Sequence, residues 1–288
     1  DMDNTFIELG RRFKEYRTDE TPEILAQRSY AAAWFGHEQG IAWDELLQNR
    51  LVVILGEPGS GKTWELKAKC RRLRPTSFFL SLDRLVSEDI SSILDEEEIC
   101  QFEKWKTGDD EATFFLDAVD ESKIQRDDDF FIALDRMKKA VGPSLMRSRF
   151  VISSRISEWR PQTDREGVLQ RLGVDQTFSK YSAPNDQRLP TRRNSATSLG
   201  KATEQPNEEE SAPPIMVVSL LPLVPSQVKN YASACGVRDP QGFISALEEN
   251  NAWAFAGRPL DVSHLYAYWN DKGQLSSLTN LTEYMVDR

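Results

Sequence analysis

Leu51-Val52-Val53-Ile54-Leu55 is an unbroken apolar run, and Gly56-Glu57-Pro58-Gly59-Ser60-Gly61-Lys62-Thr63 follows it without a gap. Five apolar residues stopped at once by glycine are the pattern of a strand buried on both faces of a parallel sheet. The second stretch matches G-x-x-x-x-G-K-[ST] in full, and Trp64 continues into a segment of helix-forming composition that reaches Leu73. Strand, glycine loop and helix in that order make a phosphate cradle. The glycines let backbone N–H groups turn inward, and the helix adds its positive N-terminal end at the same point. Lys62 is expected to reach the β- and γ-phosphates of a nucleotide, and Thr63 to offer a hydroxyl to Mg²⁺. Four such constrained positions arise by chance in roughly one per cent of chains of this length, before a flanking strand and helix are required.

The same scheme repeats outward from this point. Ser77-Phe78-Phe79-Leu80-Ser81-Leu82 reads as a second strand, followed by a polar helical stretch. Thr113-Phe114-Phe115-Leu116-Asp117 reads as a third, its apolar residues ending abruptly in acid, with helical spacing over residues 130–140. Arg149-Phe150-Val151-Ile152-Ser153-Ser154-Arg155 is a fourth strand with a polar tip, and Ile215-Met216-Val217-Val218-Ser219-Leu220 a fifth. Strands alternating with helices predict an α/β fold around a mostly parallel sheet.

The flanks read differently. Residues 6–48 look amphipathic and helical, with Ile24, Leu25, Tyr30, Trp34 and Phe35 as apolar positions, so residues 1–50 are expected to form a helical lead-in. Residues 51–223 form the core. Within it, residues 179–214 hold five prolines and no Val, Ile, Phe or Trp, too little apolar surface to offset ordering entropy, which predicts a mobile insertion. Residues 224–288 carry helical spacing in Val228-Tyr231-Ala232, Phe243-Ile244-Leu247 and Leu265-Tyr266-Trp269, and predict a small helical lid.

With 46 acidic against 36 basic residues the net charge is -10, which repels polyanions and argues against a nucleic-acid-binding surface. Hydrophobic residues at 39% and charged residues at 28% exclude collagen-like, coiled-coil and wholly disordered chains. No apolar stretch nears the roughly 18 residues of a membrane span, so no membrane partner is expected. Cys70, Cys100 and Cys235 are widely spaced and only His37 and His264 accompany them, the pattern of a reduced, cytoplasmic chain without a cysteine zinc site. A start at Asp1 with no apolar signal segment suggests a piece of a longer polypeptide. The acidic runs Asp95-Glu96-Glu97-Glu98 and Asp127-Asp128-Asp129 read as solvated helix ends.

Polar residues at the ends of two strands complete the candidate site. Asp117, at a strand tip, is placed to hold Mg²⁺ opposite Thr63. Asp120 and Glu121 follow it, and a loop leaving this tip can deliver the carboxylate that orients or deprotonates an attacking water. Ser153, Ser154 and Arg155 end the next strand. In a parallel sheet they emerge on the same edge, where ligands of open α/β sheets bind. An arginine that contacts a γ-phosphate but not a diphosphate makes a site responsive to which nucleotide it holds.

Together these residues resemble the NACHT branch of the STAND nucleotide-binding switches, within the AAA+-like, ASCE-type P-loop NTPases. Phe114-Phe115-Leu116-Asp117-Ala118-Val119-Asp120-Glu121 looks like that family's Walker B pattern, and Val151-Ile152-Ser153-Ser154-Arg155 is similar to its sensor strand. Leu221-Pro222-Leu223 with Gln227 to Tyr231 resembles the step into the lid, and Gly257-Arg258-Pro259 matches its G-x-P motif. The resemblance implies a three-layer αβα fold with a helical lid, a site for ATP or ADP with Mg²⁺, and Pro259 packed against the adenine. It implies slow ATP hydrolysis, self-association in the ATP state, and sensor and effector regions outside these residues, as in bacterial antiviral-defence and innate-immunity proteins. The 179–214 insertion and the lack of a winged-helix module with its phosphate-binding histidine depart from the family. A constitutive AAA+-type motor and a nucleotide-binding scaffold without turnover share the same motifs and stand as alternatives.

Overall fold

The computed structural model describes residues 6–17, 40–117, 128–173, 214–237 and 239–275. Six strands form one sheet: β1 (Phe13–Glu15), β2 (Leu51–Leu55), β3 (Ser77–Ser81), β4 (Ala112–Asp117), β5 (Ser148–Ser154) and β6 (Met216–Leu220). Their order is β1-β6-β2-β5-β4-β3. All neighbours are parallel except β1, which runs antiparallel to β6 with Phe13 opposite Leu220. The glycine-loop strand β2 therefore lies inside the sheet between β6 and β5, and β5 separates it from the acidic strand β4.

Side chains alternate across a strand, so a five-residue apolar run feeds two cores at once. Leu51, Val53 and Leu55 of β2 join Phe78, Leu80, Phe114, Leu116, Phe150 and Ile152 on one face. There they pack against helices α3 (Leu82–Ser87), α4 (Ile90–Ile93), α5 (Glu96–Thr107), α6 (Asp129–Val141) and α7 (Thr163–Leu172). Val52 and Ile54 face the other way with Phe115, Val151, Val218 and Leu220. They meet Trp43 and Leu46 of α1 (Trp43–Leu46) and Leu66 and Cys70 of α2 (Lys62–Arg72). Helices on both faces give three layers. Each fully buried aliphatic or phenyl group contributes roughly 1.5–3 kcal/mol. Phe114 adds ring stacking at 5.3 Å on Phe78 and 5.5 Å on Phe150.

The remaining helices, α8 (Pro225–Ala234), α9 (Pro240–Glu249) and α10 (Pro259–Lys272), enclose a separate core built on Val228, Phe243, Leu247, Val262 and Leu265. Leu9 of the N-terminal segment completes it. Prolines at the first positions of all three helices lack the N–H that would be unsatisfied there.

Two expectations are corrected. Where it is described, the lead-in is only partly helical: Phe13–Glu15 is an edge strand, and helix is confined to the four residues of α1. Phe13 alone is apolar in that strand, so it has no periodicity to read; pairing with β6 and a bridge to Ile41 create it. The second correction concerns Asp129, which is buried at the start of α6 rather than solvated, although its neighbour Asp128 is exposed. Asp95, by contrast, caps α5 in a reciprocal pair with Glu98 at the surface. The apolar positions Ile24, Leu25, Tyr30, Trp34 and Phe35, residues 179–213 of the insertion, and the catalytic candidates Asp120 and Glu121 lie outside the described residues.

Candidate functional site

Parallel register brings the polar strand tips to one edge. Leu55 pairs with Ser154, Ser81 with Asp117, and Leu116 with Ile152, so Asp117 stands level with Ser153 beside the mouth of the glycine loop. The Gly56 N–H is anchored to the Ser154 carbonyl at 3.2 Å. From there the loop turns through Gly59 (φ 74°) and Gly61 (φ 94°), left-handed conformations that a side chain strains. α2 begins at Lys62, which puts its N-terminal dipole against the cradle.

The charges on this edge are coupled. Lys62 Nζ donates to the carbonyl oxygens of Gly56 and Glu57, so the ammonium is held over the loop. Burial pushes its pKa down to about 8, opposed first by the nearby Asp117 carboxylate. Asp117 is 1% exposed. Its Oδ1 accepts from the Ser153 hydroxyl, whereas its buried Oδ2 has no hydrogen-bond partner among the described residues. An orphaned carboxylate oxygen at a strand tip suits a hard cation. Mg²⁺ needs few protein ligands and keeps several waters, so Asp117, with Thr63 lining the same cavity, suits it by donor chemistry.

A cavity of about 460 Å³ collects these groups, a size that suits a small organic ligand. It is lined by residues 57–64 of the loop and first helical turn, by Asp117 and Arg155, and by Tyr231, Pro259, Leu260 and Ser263 from the helical subdomain. Trp64 is 40% exposed at its wall. Arg155 pairs with Glu158 at 3.5 Å. The sequence-predicted residues 57–64, Asp117, Arg155 and Pro259 thus share one space, with Gly56 at the root of the loop.

The first turn of α10 lies directly on the glycine loop. The Leu260 N–H donates to the Gly59 carbonyl at 3.3 Å, and Arg258 Nη1 to the Pro58 carbonyl at 3.3 Å. A Cβ on Gly59 would come within 2.8 Å of the Leu260 side chain, and one on Gly61 within 3.5 Å of Pro259. Leu260, Ser263 and Tyr231 escaped sequence reasoning. Ser263 had a usable signal, being four residues after Pro259 on the same helical face.

Arg11 escaped it too. This arginine is 3% exposed. It donates from Nη1 to the Ser60 carbonyl at 2.9 Å and from Nη2 to the Leu221 carbonyl at 2.6 Å. Burial lowers its pKa to about 10, while the buried Glu65 carboxylate opposes that shift. Glu65 in turn accepts from Trp43 Nε1 at 3.0 Å, and burial raises its pKa. No local pattern marks an arginine whose partners lie 49 and 210 residues away.

No protein-family model and no curated protein sequence matches the chain. Among solved structures it is similar to a Walker-type ATPase of Pyrococcus abyssi, with 14% identity and a TM-score of 0.38 over 98% of this chain and 75% of that one. That overall likeness is loose and assigns no role to any residue. No described helix is long and apolar enough to cross a membrane.

Proposed function

We propose that the chain is an ATP-binding and ATP-hydrolysing P-loop module, and that it works as the nucleotide switch of a NACHT-type STAND protein. One observation carries the nucleotide reading: the glycine loop, the cationic Lys62, the half-satisfied Asp117 and the tip arginine Arg155 line one cavity at the C-terminal edge of a parallel sheet. The interposed strand β5 supports the ASCE assignment, because it is the additional strand between phosphate-loop strand and acidic strand.

In this reading the loop N–H groups and the α2 N-terminus hold phosphate oxygens. Lys62 exchanges the carbonyls of Gly56 and Glu57 for β- and γ-phosphate oxygens, a gain because charge-assisted bonds are stronger. Thr63 and Asp117 hold Mg²⁺, which when bound neutralises charge on the transferring phosphoryl group. Ser153 holds the Asp117 carboxylate through Oδ1, which leaves Oδ2 as the oxygen for the cation. Asp120 or Glu121, in the chain just beyond β4, orients the attacking water. Arg155 distinguishes ATP from ADP, and Pro259 on α10 carries that difference to the lid. Self-association in the ATP state, with sensor and effector regions elsewhere, completes the switch.

The test has two parts. Protein purified without added nucleotide is denatured and the released nucleotide identified; stoichiometric ADP is the expected result for a resting switch. Titration calorimetry with Mg·ATP then compares wild type, Lys62→Ala and Asp117→Asn. Lys62→Ala should abolish binding, and Asp117→Asn should remove the enhancement that Mg²⁺ gives while the apparent fold persists. Wild-type protein that binds neither ATP nor ADP would overturn the reading, and rapid sustained turnover from an empty site would replace the switch with a motor.

A further inference from the structure

We propose that Arg11 is a positioning residue for the phosphate site, and that through it the N-terminal segment sets the loop and the lid linker together. The inference rests on the nucleotide reading of the cavity. Its basis is one buried guanidinium that grips two backbone carbonyls of separate elements, Ser60 in the phosphate loop and Leu221 in the step into the lid.

The physical effect follows from peptide geometry. A trans peptide is planar, so the Ser60 C=O and the Gly61 N–H point in opposite directions. A donor that holds the carbonyl from behind the loop therefore aims the Gly61 N–H away from itself, toward the concave face. Arg11 lies outside the lining of the cavity and borders a separate small hollow with Trp43 and Glu65. The planar fork can serve two fixed acceptors at once, which an ammonium on a flexible stem does poorly.

The same segment is tied to the lid. Gln227 Nε2 of α8 donates to the carbonyls of Leu9 at 2.8 Å and Gly10 at 3.2 Å, and Leu9 packs into the lid core. Phe13, two residues on, pairs with Leu220 at the end of β6. Residues 9–13 thus touch the lid, the lid linker, the phosphate loop and the sheet edge. A shift of the lid relative to the sheet is transmitted to the loop through this segment.

The test uses Arg11→Lys, and Arg11→Met combined with Glu65→Gln so that no buried carboxylate loses its cation. Calorimetry measures Mg·ADP and inorganic pyrophosphate affinity, stopped-flow fluorescence measures release of a labelled ADP, and thermal unfolding without nucleotide checks the fold. Both variants should lose affinity, the double variant by about tenfold relative to Glu65→Gln alone, with pyrophosphate weakened in the same proportion and release correspondingly faster. A residue that only holds the fold would lower the melting temperature and leave pyrophosphate affinity unchanged. If the double variant does not fold, Arg11→Lys decides, because it keeps the charge beside Glu65 and loses the fork. Wild-type affinity in a folded variant overturns the Arg11 proposal alone, whereas a wild type that binds no Mg·ADP overturns the nucleotide reading beneath it.

Discussion

Gly59 shows how much one missing side chain decides. Its φ of 74° and the approach of Leu260 are independent reasons for glycine at this position. The motif G-x-x-x-x-G-K-[ST] demands neither, since Gly59 occupies one of its free positions. Gly59→Ala should therefore destabilise the protein by about 1–3 kcal/mol through backbone strain and lift the first turn of α10 from the loop. Thermal unfolding and Mg·ADP titration check this, and adding Leu260→Ala should recover only the part of the loss due to contact with Cγ and Cδ2, because the Leu260 Cβ at 2.8 Å and the backbone strain both remain. A Gly59→Ala protein with wild-type stability would mean that α10 does not rest on the loop. At this scale Lys62, Thr63, Asp117 and Arg155 were legible, because each ends or begins a strongly patterned segment. Arg11 and Tyr231 were not, because their roles depend on partners distant in the chain.

Among the elements, legibility followed apolar density. β2, with five buried residues, was readable to the residue, and β3 to β6 within about one residue at each end, the ordinary uncertainty of element boundaries. β1 was missed because its stability comes from β6 rather than from its own sequence. The thiols report on two different environments, since Cys70 faces the sheet from α2 while Cys100 on α5 is exposed. Burial raises the Cys70 pKa, so less thiolate exists there at any pH below that value, and thiolate is the reactive form. Alkylation of the native protein should label Cys100 first and the half-buried Cys235 more slowly, with Cys70 labelled only after denaturation, even near pH 9. Mass spectrometry of the labelled peptides gives the order. Cys70 reacting as fast as Cys100 would show that α2 is not packed on the sheet as described.

Across the whole molecule, two bodies of apolar packing meet at the cavity. The sheet has a core on each face, and the C-terminal helical subdomain has its own. Contact between that subdomain and the glycine loop depends on Leu260 over Gly59, on backbone and arginine hydrogen bonds to the loop, and on the N-terminal segment. A subdomain held this way can loosen without the sheet. Phe243→Ala, at a fully buried position in its core, should cost it about 3–5 kcal/mol. Hydrogen exchange should then rise across α8 to α10 and stay low in β2 and β5, while Mg·ADP affinity falls. Equal loss of protection in the helical subdomain and the sheet would mean that the two unfold as one cooperative unit.

The parallel α/β class, the glycine loop and the acidic and polar strand tips were determined by the sequence alone. Each is written in a short contiguous pattern whose physics is local: an apolar run long enough to be buried, glycines where the backbone must turn, a charge where a strand ends. The strand order, the antiparallel β1, the seating of α10 on Gly59 and the grip of Arg11 on Ser60 and Leu221 were decided only by the tertiary structure. These depend on contacts between residues far apart in the chain, where packing and the satisfaction of buried polar groups choose the partners and no local period records the choice.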